Sequence, residues 1–95
     1  MTYRRRPITY IVGRHSNCDI IVSDETVSRF HAELVLSTDG LIFLSNRNSS
    51  GLWVGRDGQW VEWTRPDYVR ESESVVLGSY QTTIQDLLRR ARRDH

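Results

Sequence analysis

Three short runs in this chain carry groups able to close on an oxyanion: Gly13-Arg14, Ser28-Arg29-Phe30-His31 and Asn48-Ser49-Ser50-Gly51. Together they offer guanidinium groups, hydroxyls, a carboxamide and glycine backbone. A guanidinium fork matches a phosphate-like group with two parallel charge-assisted hydrogen bonds. Hydroxyls and loop N–H groups can take the remaining oxygens. No nucleophile–base pair, metal-ligand cluster or nucleotide-binding glycine loop stands in the sequence, so the chemistry indicated is binding, not turnover. His31 reads as a hydrogen-bonded structural residue. Cys18 has His15 three residues away but no second Cys or His pair, and reads as a small packed apolar residue.

These runs need a scaffold, and each lies at the end of an apolar, β-branched segment, as loops on a rigid sheet do. Ile8 to Val12 reads as a strand stopped by Gly13, and Ile20 to Val22 as a short strand closed by Ser23-Asp24-Glu25. From His31 to Leu36, Ala32, Leu34 and Leu36 alternate with Glu33 and Val35. A turn at Thr38-Asp39-Gly40 then leads into Leu41 to Leu44, which predicts a hairpin. Leu52 to Val54 and Trp60 to Trp63 flank an Asp57-Gly58 turn and predict a second. Trp53, Trp60 and Trp63 around it read as packing residues. Tyr68-Val69 and Ser74 to Leu77 complete the strands, the last stopped by Gly78-Ser79. Turns every 8–12 residues argue for a β-sandwich. Ile84, Leu87, Leu88 and Ala91 instead share one helical face. Thr83 followed by Asp86 supplies a start signal and the arginines supply the C-terminal charge, predicting a helix over Ile84 to Arg92.

The chain has 95 residues and a single cysteine, enough for one core and too few thiols for an internal disulfide. A reducing, cytoplasmic and bacterial setting is expected. No segment approaches a membrane span, and the N-terminus does not read as a signal peptide. The formal charge of +1 conceals an asymmetry. Residues 1–6 carry three arginines (+3), residues 89–95 four arginines and one aspartate (+3), and residues 7–88 six arginines against eleven carboxylates (−5). That acidic body argues against a nucleic-acid face, while the basic ends read as solvated termini. The expected organisation is a basic arm over 1–7, a sandwich over 8–83 and an amphipathic Arg-rich helix over 84–95.

Four pieces in order, Ile11-Val12-Gly13-Arg14, Cys18-Asp19-Ile20-Ile21-Val22, Val27-Ser28-Arg29-Phe30-His31-Ala32 and Ser50-Gly51-Leu52-Trp53-Val54, make the chain resemble the forkhead-associated (FHA) domain family over roughly residues 8–80. The resemblance implies an all-β sandwich of about eleven short strands in two sheets, here followed by a short C-terminal helix. It implies a non-catalytic module, without cofactor or metal, that binds phosphothreonine peptides. The implied partner is a Thr-phosphorylated protein, a Ser/Thr kinase or its substrate. By resemblance, Arg14 holds the phosphate, Ser28 binds its oxygens through hydroxyl and N–H, and Arg29 adds a second contact. Ser49 and Ser50 contact the phosphate or the peptide main chain. Gly13, His31, Asn48 and Gly51 support the site. Ser50 departs from the family asparagine, and one hydroxyl replaces an amide that both donates and accepts. That departure leaves an alternative of the same fold: a phosphate-independent scaffold or dimerisation module, with Leu87, Leu88 and Ala91 docking on another chain.

Overall fold

Alternation along the strands decides which side chains meet. The structure, a computed structural model, describes residues 6–47 and 51–91. Nine strands and one helix follow in order: β1 (Ile8–Gly13), β2 (Ile20–Ile21), β3 (Ala32–Leu36), β4 (Ile42–Asn46), β5 (Leu52–Arg56), β6 (Gln59–Glu62), β7 (Asp67–Val69), β8 (Ser74–Leu77), β9 (Tyr80–Thr83) and α1 (Ile84–Arg90). One sheet has the order β2-β1-β3-β4-β7 and the other β6-β5-β8-β9. The expected sandwich is therefore present, with nine strands among the described residues where about eleven were expected.

In β3, Ala32 and Leu34 are fully buried while Glu33 and Val35 lie half-exposed on the opposite face. β4 and β5 repeat the pattern with Ile42 and Leu44, then Leu52 and Val54. These inward rows from the two sheets form one core with Val12, Ile20, Val75 and Leu77. Each of the valine, leucine and isoleucine side chains among them contributes about 1.5–3 kcal/mol by leaving water. Trp63 ties the sheets together, its Nε1–H donating to the Leu44 carbonyl at 2.7 Å. The β5–β6 hairpin turns at Asp57 and Gly58, both at positive φ (50° and 76°), as a two-residue hairpin of mirror-image turn type requires.

β1 and β2 pair in parallel, with Val12 opposite Ile20. Asp19 fixes the short return between them: its N–H donates to the Ile11 carbonyl at 2.9 Å and its carboxylate accepts the Ile11 N–H at 2.8 Å. β9 was not expected. Its sequence, Tyr80-Gln81-Thr82-Thr83, lacks an apolar alternation, yet it pairs with β8 in register from Leu77↔Tyr80 to Ser74↔Thr83. The signal lay in Gly78-Ser79, a two-residue connection with Gly78 at φ +64°, which is a hairpin turn and not a stop.

The helix ends at Arg90, before the expected Arg92, which lies outside the described residues. Thr83 caps it, its hydroxyl accepting the Asp86 N–H at 3.1 Å. The Asp86 carboxylate accepts from the Thr82 hydroxyl at 2.7 Å and pairs with Arg90 at 3.1 Å. A helix of 7 residues is far below the length that is stable alone; burial of Ile84 and Leu87 holds it. Leu88 and Ala91 also pack on the core. The apolar face that the alternative reading docks on another chain is instead turned onto its own sandwich.

Candidate functional site

Four connections, β1–β2, β2–β3, β4–β5 and β8–β9, meet at one rim of the sandwich, tied largely through main-chain atoms. Arg14 N–H donates to the Ser28 carbonyl at 3.0 Å and His15 N–H to the Arg29 carbonyl at 3.1 Å. This contact explains Gly13: a Cβ there would lie 2.2 Å from the Arg29 carbonyl oxygen, so no larger residue fits. The Cys18 thiol, buried as expected, sits 3.2 Å from the same oxygen. The rim therefore brings Arg14, Ser28 and Arg29 together although the other two lie 14 and 15 positions beyond Arg14.

Arg14 is exposed, and its Nε–H donates to the Val27 carbonyl at 3.0 Å. That bond steers the guanidinium and leaves both Nη groups without a protein partner among the described residues. Arg29 is exposed too, with no side-chain partner among them. Arg47 differs: its Nη1 pairs with the Glu33 carboxylate at 2.5 Å.

His31 is fully buried, at 0% exposure. Nδ1 accepts the Ser28 N–H at 2.9 Å, so it carries no proton. Nε2 therefore carries the proton and donates to the Gly51 carbonyl at 2.6 Å. Burial lowers the His31 pKa below its ordinary 6.5, opposed by the hydrogen bond to Gly51. The imidazole is thus a neutral brace with both nitrogens engaged. One expectation changes here: the Ser28 N–H, assigned by resemblance to phosphate, is committed to His31. The His31 main chain adds two bonds, N–H to the Val12 carbonyl at 2.8 Å and carbonyl from the Arg47 N–H at 3.0 Å. Asn48, Ser49 and Ser50 lie outside the described residues.

Several rim groups escaped the sequence reading. Gly78 N–H donates to the Gly51 carbonyl at 3.0 Å, making that oxygen a double acceptor. The Thr26 hydroxyl accepts the Ser79 N–H at 2.9 Å. Gly78 must be glycine, because a Cβ would sit 2.1 Å from the Thr26 carbonyl oxygen. The His15 and Phe30 rings stack with centroids 4.9 Å apart and planes 26° from parallel. Nothing in the linear sequence marks that pair, since its members lie on different loops.

A groove of about 790 Å³ lies away from this rim, lined by residues including Arg56, Tyr68, Arg70 and Glu73. Of its two arginines, Arg56 is already engaged: it forks onto Glu73 at 2.6 and 3.1 Å, donates to the Tyr68 carbonyl at 2.7 Å, and lies 4.9 Å from the Trp63 ring centroid. No three metal-binding side chains cluster among the described residues, and no helix there is long and apolar enough to cross a membrane.

A family model described as FHA domain matches residues 10–78. No curated protein sequence matches the chain. Among solved structures, the chain is similar to the FHA domain of the CT664 protein from Chlamydia trachomatis, at 27% identity and TM-score 0.67, covering 84% of this chain and 77% of that one. A second FHA domain, solved in an analysis of phosphothreonine-dependent FHA interactions, is 26% identical with TM-score 0.64, over 87% and 81% of the two chains. The N-terminal FHA domain of S. cerevisiae Rad53p, solved with a phosphothreonine peptide, shares the fold at 23% identity and TM-score 0.62, over 79% and 60%.

Proposed function

The chain belongs to the FHA-domain family, and from that premise we propose that it is a non-catalytic module that binds phosphothreonine peptides on a partner protein. Similar domains have been solved with a phosphothreonine peptide or studied for phosphothreonine-dependent interactions. The observation that carries the reading is the Arg14 guanidinium, steered by Val27 with both Nη groups unengaged among the described residues, beside Ser28 and Arg29.

In this reading Arg14 takes two phosphate oxygens, the Ser28 hydroxyl and Arg29 take the remainder, and Ser49 and Ser50 hold the peptide main chain. Gly13, His31, Asn48 and Gly51 set the loop geometry. No residue transfers a proton or forms a bond, so the module has no turnover. Its partner is a Ser/Thr kinase or a kinase substrate, in a cytoplasmic setting.

The test is titration of matched peptides carrying phosphothreonine, phosphoserine or threonine into wild type and Arg14→Ala. A charge-assisted hydrogen bond contributes about 1.5–3 kcal/mol, so losing both bonds of the fork costs about 3 kcal/mol or more and weakens the phosphothreonine peptide by at least about a hundredfold. Equal binding by wild type and Arg14→Ala, or equal binding of phosphorylated and plain peptides, overturns the reading.

A further inference from the structure

Five large apolar side chains are exposed among the described residues: Phe30, Leu41, Trp60, Val61 and Tyr68. Leu41 and Tyr68 line the groove away from the rim, and Trp60 and Val61 lie along β6. Phe30 is the one of the five seated in a phosphate-cradle loop, between Arg29 and the buried His31, and it remains 41% exposed.

Its placement is fixed. The Phe30 Cα lies 3.0 Å from where a Gly13 Cβ would stand, which presses its backbone onto the end of β1. The His15 ring supports the Phe30 ring at 4.9 Å, and His15 is itself held, with Nδ1 accepting the Asn17 N–H at 2.9 Å. The two rings come from the two loops that carry Arg14 and Ser28, so the stack is continuous with the cradle.

We infer that the His15–Phe30 stack is an aromatic shelf that receives an aromatic side chain of the bound peptide, close in sequence to the phosphothreonine. This inference rests on the phosphopeptide reading above and names a feature of the peptide it selects. An extended peptide advances about 3.3 Å per residue. Phe30 stands two positions from Ser28, so a peptide residue one or two places from the phosphothreonine reaches it. An aromatic guest suits the site better than an aliphatic one. It can stack on Phe30 in an offset arrangement while its face meets the guanidinium groups of Arg14 or Arg29.

The experiment uses a phosphothreonine peptide with alanine at every flanking position and variants with a single phenylalanine at each place within two residues of the phosphothreonine. Each is titrated into wild type, Phe30→Ala and Phe30→Tyr. The readout is the ratio of the all-alanine Kd to the phenylalanine-peptide Kd within one protein, which cancels any general effect of the substitution. In wild type that ratio rises to about ten at one or two positions. It falls to about one in Phe30→Ala and returns in Phe30→Tyr. A ratio that stays near one at every position while the all-alanine peptide binds overturns the shelf alone, as does a raised ratio that persists in Phe30→Ala. Failure of every phosphopeptide to bind wild type overturns the shelf together with the phosphopeptide reading beneath it.

Discussion

Acidification from neutral pH should weaken this fold through His31. The ring is at 0% exposure and its two nitrogens meet Ser28 N–H and Gly51 carbonyl. A second proton on Nδ1 would set one donor against another and place a charge away from water. Burial accordingly holds the folded-state pKa below 6.5. Below pH 6.5 the unfolded chain binds the proton more readily than the folded one, so stability falls with pH until the folded-state pKa is reached. Above 6.5 both states hold the ring neutral and the full stability is present. Between the two pKa values the slope is about 1.4 kcal/mol per pH unit. The assay is urea denaturation at pH 7.5, 6.5 and 5.5 for wild type and His31→Gln. Glutamine removes the titration but leaves the Ser28 N–H or the Gly51 carbonyl with an imperfect partner, at about 1–3 kcal/mol. The variant is therefore weaker at pH 7.5, and the gap narrows as pH falls. All other titrating groups are common to both proteins and cancel in the difference. A constant gap from pH 7.5 to 5.5, or one that widens on acidification, refutes the neutral-brace reasoning.

Two further outcomes follow from the same geometry. Gly78→Ala introduces a Cβ 2.1 Å from the Thr26 carbonyl oxygen at φ +64°, whereas Gly40→Ala at φ +87° meets no atom within 4 Å; urea midpoints should show a loss of about 2 kcal/mol or more for the first and about 1 kcal/mol for the second. Glu73, whose pKa the Arg56 hydrogen bond lowers below 4.5, stabilises the fold above that pH and loses this contribution as pH falls through its folded-state pKa. Glu73→Gln should cost about 1–2 kcal/mol at pH 7, reduced by the partial exposure of Arg56, and the difference from wild type should shrink in acid denaturation curves.

Much of the architecture was legible because β-branched and apolar residues alternate with period two between punctuating glycines. Ala32 to Leu36 is the clearest instance, since the period itself names the buried face. β9 was hidden because Tyr80-Gln81-Thr82-Thr83 is held by backbone pairing with β8, which leaves little trace in side-chain polarity. The helix was legible in the spacing of Ile84, Leu87, Leu88 and Ala91, but spacing marks an apolar face without naming what covers it, and here the sandwich does. At the rim, Arg14 and Ser28 stood out by residue type. Their meeting followed from the family resemblance and not from residue type or spacing, because it depends on Gly13 admitting the Arg29 carbonyl and on Arg14 reaching the carbonyls of Val27 and Ser28. The clasp between Thr26 and Ser79 joins hydroxyls 53 positions apart, and ordinary loop serines and threonines carry no mark of such a partner.

His31 grips the β4–β5 connection by both feet, its carbonyl taking the Arg47 N–H and its ring donating to the Gly51 carbonyl. Neither anchor uses a side chain of the connection itself. Because Nδ1 also holds the Ser28 N–H, the same ring couples the β2–β3 connection to the described end of the β4–β5 connection at Gly51. A change at His31 therefore displaces two faces of the rim at once, and neither can drift while the imidazole keeps its tautomer.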